Sequence, residues 1–497
     1  WVRNFEQEPI PYELKFDESS FWFMDPEREL LYRFDESEWS HAREIVDRNG
    51  NSLLIQRRPD MLPTNVTDGL GRNLYFEYNS RSNLVRVTDG TRTVSFGQDT
   101  NRYLVAFTNP LGGVTLYNYD PTNSFISPNK ALMTSVQHPR GNVPYTQAYN
   151  SNGRVVTQAD AYGNTSTFEQ GPITDGWARV TDPQGTLMAS HFDQREATNF
   201  TDQASNSFSM AFSTQDLLSS FKDRRGNSSV YYYDVDARRL TKYVDAAHGT
   251  TTCSYVSTTQ VFTNKESPTR TISFTFSDLA GVQYPDGTTE QYYRDGRGNV
   301  TSFVDRAGGI WTYTVNSRGQ VLTAINPRGG GQFFTYNADG TLASVSNSGA
   351  GSMTFTYDTL RRRTKVTYPD GASDSWGLDA LDRVTRATNG YAQATACEYD
   401  ANSILTRTLD PVGYEVTRKT DLLDRQTNTT DSLGPLSAAT YDSMGRLSTA
   451  TDPGGTTTYG YDQRGWGTSV SRGGSTWQWR YDADGGVTQA VSPLGHT

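Results

Sequence analysis

The sequence predicts an all-β fold: a long antiparallel sheet of consecutive hairpins. Three observations predict it. One pattern returns every 20 to 21 residues from about residue 295 to the C-terminus, turn-forming residues recur twice within each period, and the runs between turns are rich in Thr, Val, Tyr and Phe. A chain that repeats at such a period is built by adding one small unit to the next, so its length of 497 residues does not report domain count.

The first turn comes at an Asp or Asn slot, filled in order by Asp295, Asn316, Asn337, Asp358, Asp379, Asp400, Asp421, Asp442, Asp462 and Asp482. Most steps are 21 residues and the last two are 20. Glycine often stands three residues on, as at Gly298, Gly319, Gly340, Gly445, Gly465 and Gly485. The second turn follows ten residues after the slot, as in Asp305-Arg306-Ala307-Gly308, Asn326-Pro327-Arg328-Gly329 and Asp410-Pro411-Val412-Gly413. Asp and Asn bond their own downstream backbone, proline pre-sets φ, and glycine supplies positive φ. Two turns and two runs that fit a pleated surface make one hairpin per repeat.

Tyrosine stands one position before the slot at Tyr336, Tyr357, Tyr399, Tyr441, Tyr461 and Tyr481. Aromatics stand three before it at Tyr292, Tyr313, Phe334, Phe355, Trp376, Tyr459 and Trp479. Positions two apart share a face, so an aromatic column is expected along one face of the sheet. Asp is read as a turn former and Tyr as a packing residue, not as catalytic pairs.

Residues 1–45 lack the repeat and read as lead-in or capping strands, with Phe21-Trp22-Phe23-Met24-Asp25 and Leu31-Tyr32-Arg33-Phe34-Asp35 as strand-like runs. Residues 46–283 carry degenerate repeats, with an insertion at about 121–131 and loose stretches at 171–222 and 246–283. Residues 284–497 carry the regular repeats. No linker splits the chain, so one continuous body is expected.

Hydrophobic content of 35% is low for a thick core, and 44 glycines and 29 tyrosines suit a thin sheet with many turns. The net charge of −10 argues against nucleic acid as a partner. Arg361-Arg362-Arg363 is the one dense basic run and is expected to be a solvated turn tip. Cys253 and Cys397 fall on strand positions three before the slots at Val256 and Asp400 and read as small buried thiols. Two cysteines exclude a disulfide framework. No apolar run reaches transmembrane length, and there is no signal peptide. The chain starts at Trp1 rather than methionine and reads as a fragment or processed piece.

The string Tyr441-Asp442-Ser443-Met444-Gly445-Arg446-Leu447, followed by Asp452-Pro453-Gly454-Gly455, resembles the YD-repeat, or Rhs, family. Tyr441, Asp442, Gly445, Arg446 and Leu447 match its motif at each defined position. Tyr149 to Val155 match with Asn150 for Asp and Val155 for Leu. The resemblance implies a sheet that spirals into a hollow shell. In bacterial Rhs effectors and in the C component of insecticidal toxin complexes, that shell encloses a C-terminal toxin; animal teneurins and wall-associated proteins carry the same repeats. It implies as partners a toxin cargo of the same polypeptide, the remaining shell segments, and a secretion-system component or immunity protein. It implies a bacterial protein that is exported or held at the cell surface. Shells of the family end in paired Asp-Pro-x-Gly-Leu motifs. Here Asp182-Pro183, Asp410-Pro411 and Asp452-Pro453 begin such strings and none reaches Leu, so all three read as structural turns. The autoprotease and toxin are expected downstream.

Long twisted sheets curl or close, because a flat one leaves long unpaired edges. That agrees with a wall. Catalytic constellations are missing: no Gly-x-Ser-x-Gly, no Gly-Lys-Ser/Thr loop, no Cys-x-x-Cys. The five histidines (41, 138, 191, 248 and 496) have no metal-ligand spacing. Acids recurring in equivalent turns lack the two unlike environments that a catalytic pair needs. The expectation is a non-catalytic shell segment with no cofactor and no metal. The alternatives are a surface or wall-associated protein that binds carbohydrate or protein, and a fibre repeat.

Overall fold

The computed structural model describes residues 12–35, 41–120, 131–171, 176–193, 196–202, 204–234, 238–264 and 269–497. The insertion expected at 121–131 lies outside the described residues except for Ala131. Among the described residues the chain forms 44 β-strands and no helix. Strands pair antiparallel with their chain neighbours in one sheet. The chain divides into two compact units. One comprises Trp1–Thr93, Ser213–Ser219 and Ser229–Ser375; the other comprises Val94–Phe212, Ser220–Ser228 and Trp376–Thr497.

Each regular repeat contains the same bulge. Thr335 pairs with Ser344, but the next residue, Tyr336, pairs with Leu342. The register breaks at the same place between Glu398 and Tyr399 and between Thr440 and Tyr441. One extra residue therefore sits opposite the tyrosine position, including the copies where Arg294, Val315 or Thr420 stands there, which bends the strand and raises its local twist. Where that residue is threonine, its hydroxyl donates to a carbonyl beside the bulge: Thr364 to Thr356 O (3.3 Å), Thr385 to Gly377 O (3.2 Å), Thr406 to Glu398 O (3.2 Å). The bulge also forms where the extra residue is Leu322 or Ala343, so the hydroxyl bond supports it but does not cause it.

The two faces differ. In Ile310–Val315 the half-buried side carries Trp311, Tyr313 and Val315, and the exposed side carries Ile310, Thr312 and Thr314. Cross-strand hydroxyl pairs recur on the exposed side, as Thr314 with Thr323 (2.8 Å), Thr335 with Ser344 (2.6 Å) and Thr440 with Thr449 (2.7 Å). The two 20-residue steps come from shorter second turns. Asp452 pairs with Gly455 and Arg472 with Ser475 across two-residue loops, whereas Leu409 pairs with Glu415 across a longer one.

The first unit also holds a two-layer core. Thr250–Thr263 and Thr271–Gln283 form a hairpin much longer than a repeat. It packs on the lead-in strands Ser20–Asp25, Leu30–Asp35 and Ala42–Asp47 through Trp22, Met24, Leu31, Val46, Phe262, Ile272, Phe274 and Phe276. Burial alternates along Thr271–Gln283, so Ile272, Phe274, Phe276 and Asp278 point inward. Burying such a side chain contributes about 1.5–3 kcal/mol. This corrects the expectation of a turn slot at Val256. That residue lies in mid-strand and pairs with Asp278. Tyr255 still occupies the tyrosine position, with its hydroxyl on Leu240 O at 2.9 Å. The run from Thr250 to Thr263 contains no Gly, Pro, Asn or Asp, so nothing turns the chain at 256 and both strands extend.

Candidate functional site

The junction between repeats is where the motif residues act. Asp442 Oδ1 accepts the N–H of Met444 (2.9 Å) and of Arg446 (3.0 Å). Gly445 N–H donates to Asp442 O, and Asp442 N–H donates to Arg446 O. Gly445 has φ +78. This is a type I turn closed by a residue in the left-handed region.

Arg446 carries the turn to the next repeat. Its Nε donates to Asp442 Oδ2 (2.8 Å), its Nη1 donates to Asp462 O (3.1 Å), and its guanidinium lies 4.7 Å from the Tyr461 ring. The Tyr461 hydroxyl donates back to Leu447 O at 2.8 Å. Tyr441 does the same to Gln426 O at 2.7 Å, beneath Arg425. Arg383 repeats the arrangement with Asp379, Asp400 O and Tyr399. Each tyrosine is thus a donor to the preceding hairpin as well as a packing residue, a role that periodicity alone does not reveal. Burial works to raise the Asp379 and Asp421 carboxyls, but their arginines and backbone donors outweigh it and hold both below the ordinary value.

Asp452, Pro453 and Gly454 build the tight second turn. Asp452 accepts Gly454 N–H (2.8 Å) and a fork from Arg472 (2.8 and 2.5 Å). A Cβ at Gly454 would stand 2.6 Å from Arg472 Nη2, so glycine is what lets the guanidinium lie over the turn.

Turn tips also meet turns and strand residues far away in the chain. In the first unit, Arg48 forks to Asp278 (2.7 and 3.1 Å), Asn49 and Asn299 exchange amide bonds (3.2 and 2.9 Å), and Arg361 donates to Leu70 O beside Asp68 and Asp339. In the second unit, Arg140 reaches Asp424 (2.6 Å), Thr420 and Asp421 O. Asn142 donates to Leu422 O (2.9 Å), and His138 Nδ1 lies 3.0 Å from Asp424 Oδ2. Further along that unit, Arg225 pairs with Asp484 and Arg446 reaches Gln184. These contacts span 230 residues for Arg48 and Asp278 and 291 for Arg361 and Leu70.

Arg361-Arg362-Arg363 is therefore not a solvated tip. Arg361 and Arg362 are largely buried and ion-paired. One signal could have marked the contacts. The glycine slot holds Arg361 (φ +61), Asp382 (φ +63), Ser403 (φ +68) and Asp424 (φ +65), a left-handed conformation that L-residues resist. At Arg361 and Asp424 the side chain that displaces glycine makes the distant contact. Ser403→Gly is expected to stabilise by up to about 1 kcal/mol, whereas Asp424→Gly is expected to destabilise by about 1–3 kcal/mol because Arg140, Asn142 and Asn402 lose the carboxylate they share. Chemical denaturation of the two variants checks the opposite signs.

The cysteines are free and half-buried rather than buried, and burial pushes the Cys253 thiol up. Among the described residues, no three His, Cys, Asp or Glu side chains gather as a metal site, and no helix is long and apolar enough to cross a membrane.

Hairpins stapled in series, with turns clasping distant turns, define a structural repeat protein. Residues 336–373, from one repeat tyrosine through the next second turn, match the RHS Repeat family model. The junction geometry of that segment returns in phase along the chain, which over residues 336–373 is similar to the Rhs repeat. No curated protein matches the sequence. Among solved structures, the Photorhabdus luminescens Tc holotoxin pore with the mutation TccC3-D651A is 12% identical with a TM-score of 0.45, covering 97% of this chain and 29% of that one. The TcdB2-TccC3-Cdc42 crystal structure is 10% identical with a TM-score of 0.31, covering 93% and 39%. TcdB2-TccC3 is 11% identical with a TM-score of 0.30, covering 93% and 37%. The chain spans less than two-fifths of each.

Proposed function

We propose that this chain is a non-catalytic part of the wall of a β-shell that encloses a C-terminal toxin or effector of the same polypeptide for delivery to a target cell. The observation that carries this reading is the thinness of the repeats. Among the described residues, the buried apolar side chains outside the lead-in core reduce to Val366 and Pro144. A sheet that buries so little beneath itself is suited to separating two spaces. Its cohesion comes from the stapled junctions, with Tyr441, Asp442, Gly445, Arg446 and Leu447 at one turn and Asp452, Pro453 and Gly454 at the other. In this reading the stretches 1–45, 46–283 and 284–497 are one wall, capped at its start by the lead-in. The protein is exported, and its partners are the cargo, the remaining wall segments, and a secretion-system component or immunity protein.

Limited proteolysis of the full-length protein tests this. The region C-terminal to the repeats is expected to survive in the intact protein under conditions that digest it when expressed alone. Equal digestion in both settings contradicts containment.

A further inference from the structure

Within the first unit, a cavity of about 310 Å³ lies among turns that are distant in sequence, lined by Asn51, Leu70, Arg72, Arg318, Gln320, Asp339, Gly340, Thr341 and Arg361. Three of its lining side chains are guanidinium groups. Arg72 Nε bonds Asp68 Oδ2 (2.5 Å), and Arg361 approaches the same Asp68 oxygen (3.8 Å) and Asp339 Oδ2 (3.4 Å). Arg318 differs: its side chain donates to a carbonyl, Ala338 O at 3.1 Å, and no carboxylate lies within ion-pair distance among the described residues. Two carboxylates thus serve three arginines, in a chain whose net charge is −10.

The neighbouring polar groups do not supply the missing charge. Gln320 donates to Gly340 O (2.8 Å), Asn51 donates to Asp47 and to Arg318 O, and Thr341 donates to Asp339. A guanidinium has five donors and no acceptor, so Arg318 retains donors that these partners do not use. Arg361 is held in a left-handed conformation (φ +61) with its side chain only 16% exposed, which places a second charge at the cavity at a conformational cost. Arginine forks pair two oxygens of one anion, and a partly enclosed site strengthens that pairing relative to water.

We propose that this cavity binds a small dianion, of the size and charge of phosphate or a short dicarboxylate, with Arg318 as its principal contact and Arg72 and Arg361 beside it. The anion joins the turn at 68–72 to the turns at 316–320 and 337–341, which the chain otherwise holds together by side-chain contacts alone. Binding stabilises the first unit by mass action. The site is independent of whether the wall encloses a cargo.

The test uses inorganic phosphate and succinate as probes, at low chloride so that screening does not mask the interaction. Calorimetry is expected to show saturable one-site binding of at least one probe, and hydrogen exchange is expected to slow in the turns at 68–72 and 316–320. Arg318→Gln is expected to weaken binding at least tenfold. Arg306→Gln, which removes an exposed pair with Asp286 outside the cavity, is expected to leave it unchanged. Binding of one probe and not the other identifies the anion and supports the site. Absence of saturable binding by both probes, or an Arg318→Gln variant that binds like the parent, overturns it.

Discussion

Replacing Asp278 by alanine is expected to destabilise the first unit by about 3–5 kcal/mol. Arg48 and Asp278 are both nearly inaccessible, joined by two bonds of 2.7 and 3.1 Å, and the guanidinium lies 4.3 Å from the Phe276 ring. Removing the carboxylate leaves a nearly inaccessible cation against the Phe276 ring without its partner. Glu29, at 3.4 Å and partly exposed, is too solvated and too distant to take over. A buried pair is weak evidence of net stabilisation, because two desolvated charges also cost free energy. The double variant Arg48→Met with Asp278→Leu is therefore expected to recover most of the loss. Hydrogen exchange along Thr271–Gln283, followed through denaturant, reads both effects. A single variant that loses less than about 1 kcal/mol would mean that the pair is solvated and the lead-in is only loosely docked.

Alkaline unfolding driven by tyrosine is the second large effect. Tyr336, Tyr357, Tyr399 and Tyr461 are each raised above the ordinary 10.0 by burial, and Tyr292 is pushed up to about 12 by burial and by Glu290. The first four donate their hydroxyls to Val321, Leu342, Val384 and Leu447 carbonyls at 2.8–2.9 Å. A phenolate cannot donate, so the folded state holds the proton more tightly than the unfolded chain. The sign follows: the stabilisation is complete below pH 10 and is lost as pH rises through the folded values. Because the same junction recurs, small shifts add. The quadruple Tyr→Phe variant is expected to lose about 0.5–1.5 kcal/mol per site at neutral pH and to unfold at a higher pH than the parent. Circular dichroism across the alkaline range decides it. An unchanged alkaline midpoint would show that the hydroxyl bonds contribute nothing.

Much of this architecture was legible because its determinants are local. Asp442 meets Met444 and Arg446 within one turn, and Gly445 needs a positive φ that its own covalent structure supplies. The tyrosine hydroxyl bond was not legible. Periodicity places Tyr461 on a face but does not show which carbonyl it reaches, and Leu447 O becomes available through the bulge beside it. The long hairpin was misplaced for a related reason. Counting by repeats put a turn at Val256, while the missing turn residues between Thr250 and Thr263 pointed to a straight strand.

The repeat phase, the turn chemistry and the all-β class belong to the sequence by itself, since each rests on residues a few positions apart whose conformational preferences act independently of the remainder. The pairing of Arg48 with Asp278, of Arg140 with Asp424 and of Arg361 with Asp68 was decided only by the tertiary structure. These partners are 230 to 293 residues apart, and their meeting depends on the twist accumulated by every bulged hairpin between them. No local pattern encodes that sum, although at Arg361 and Asp424 a non-glycine residue in a left-handed turn position marks a distant contact.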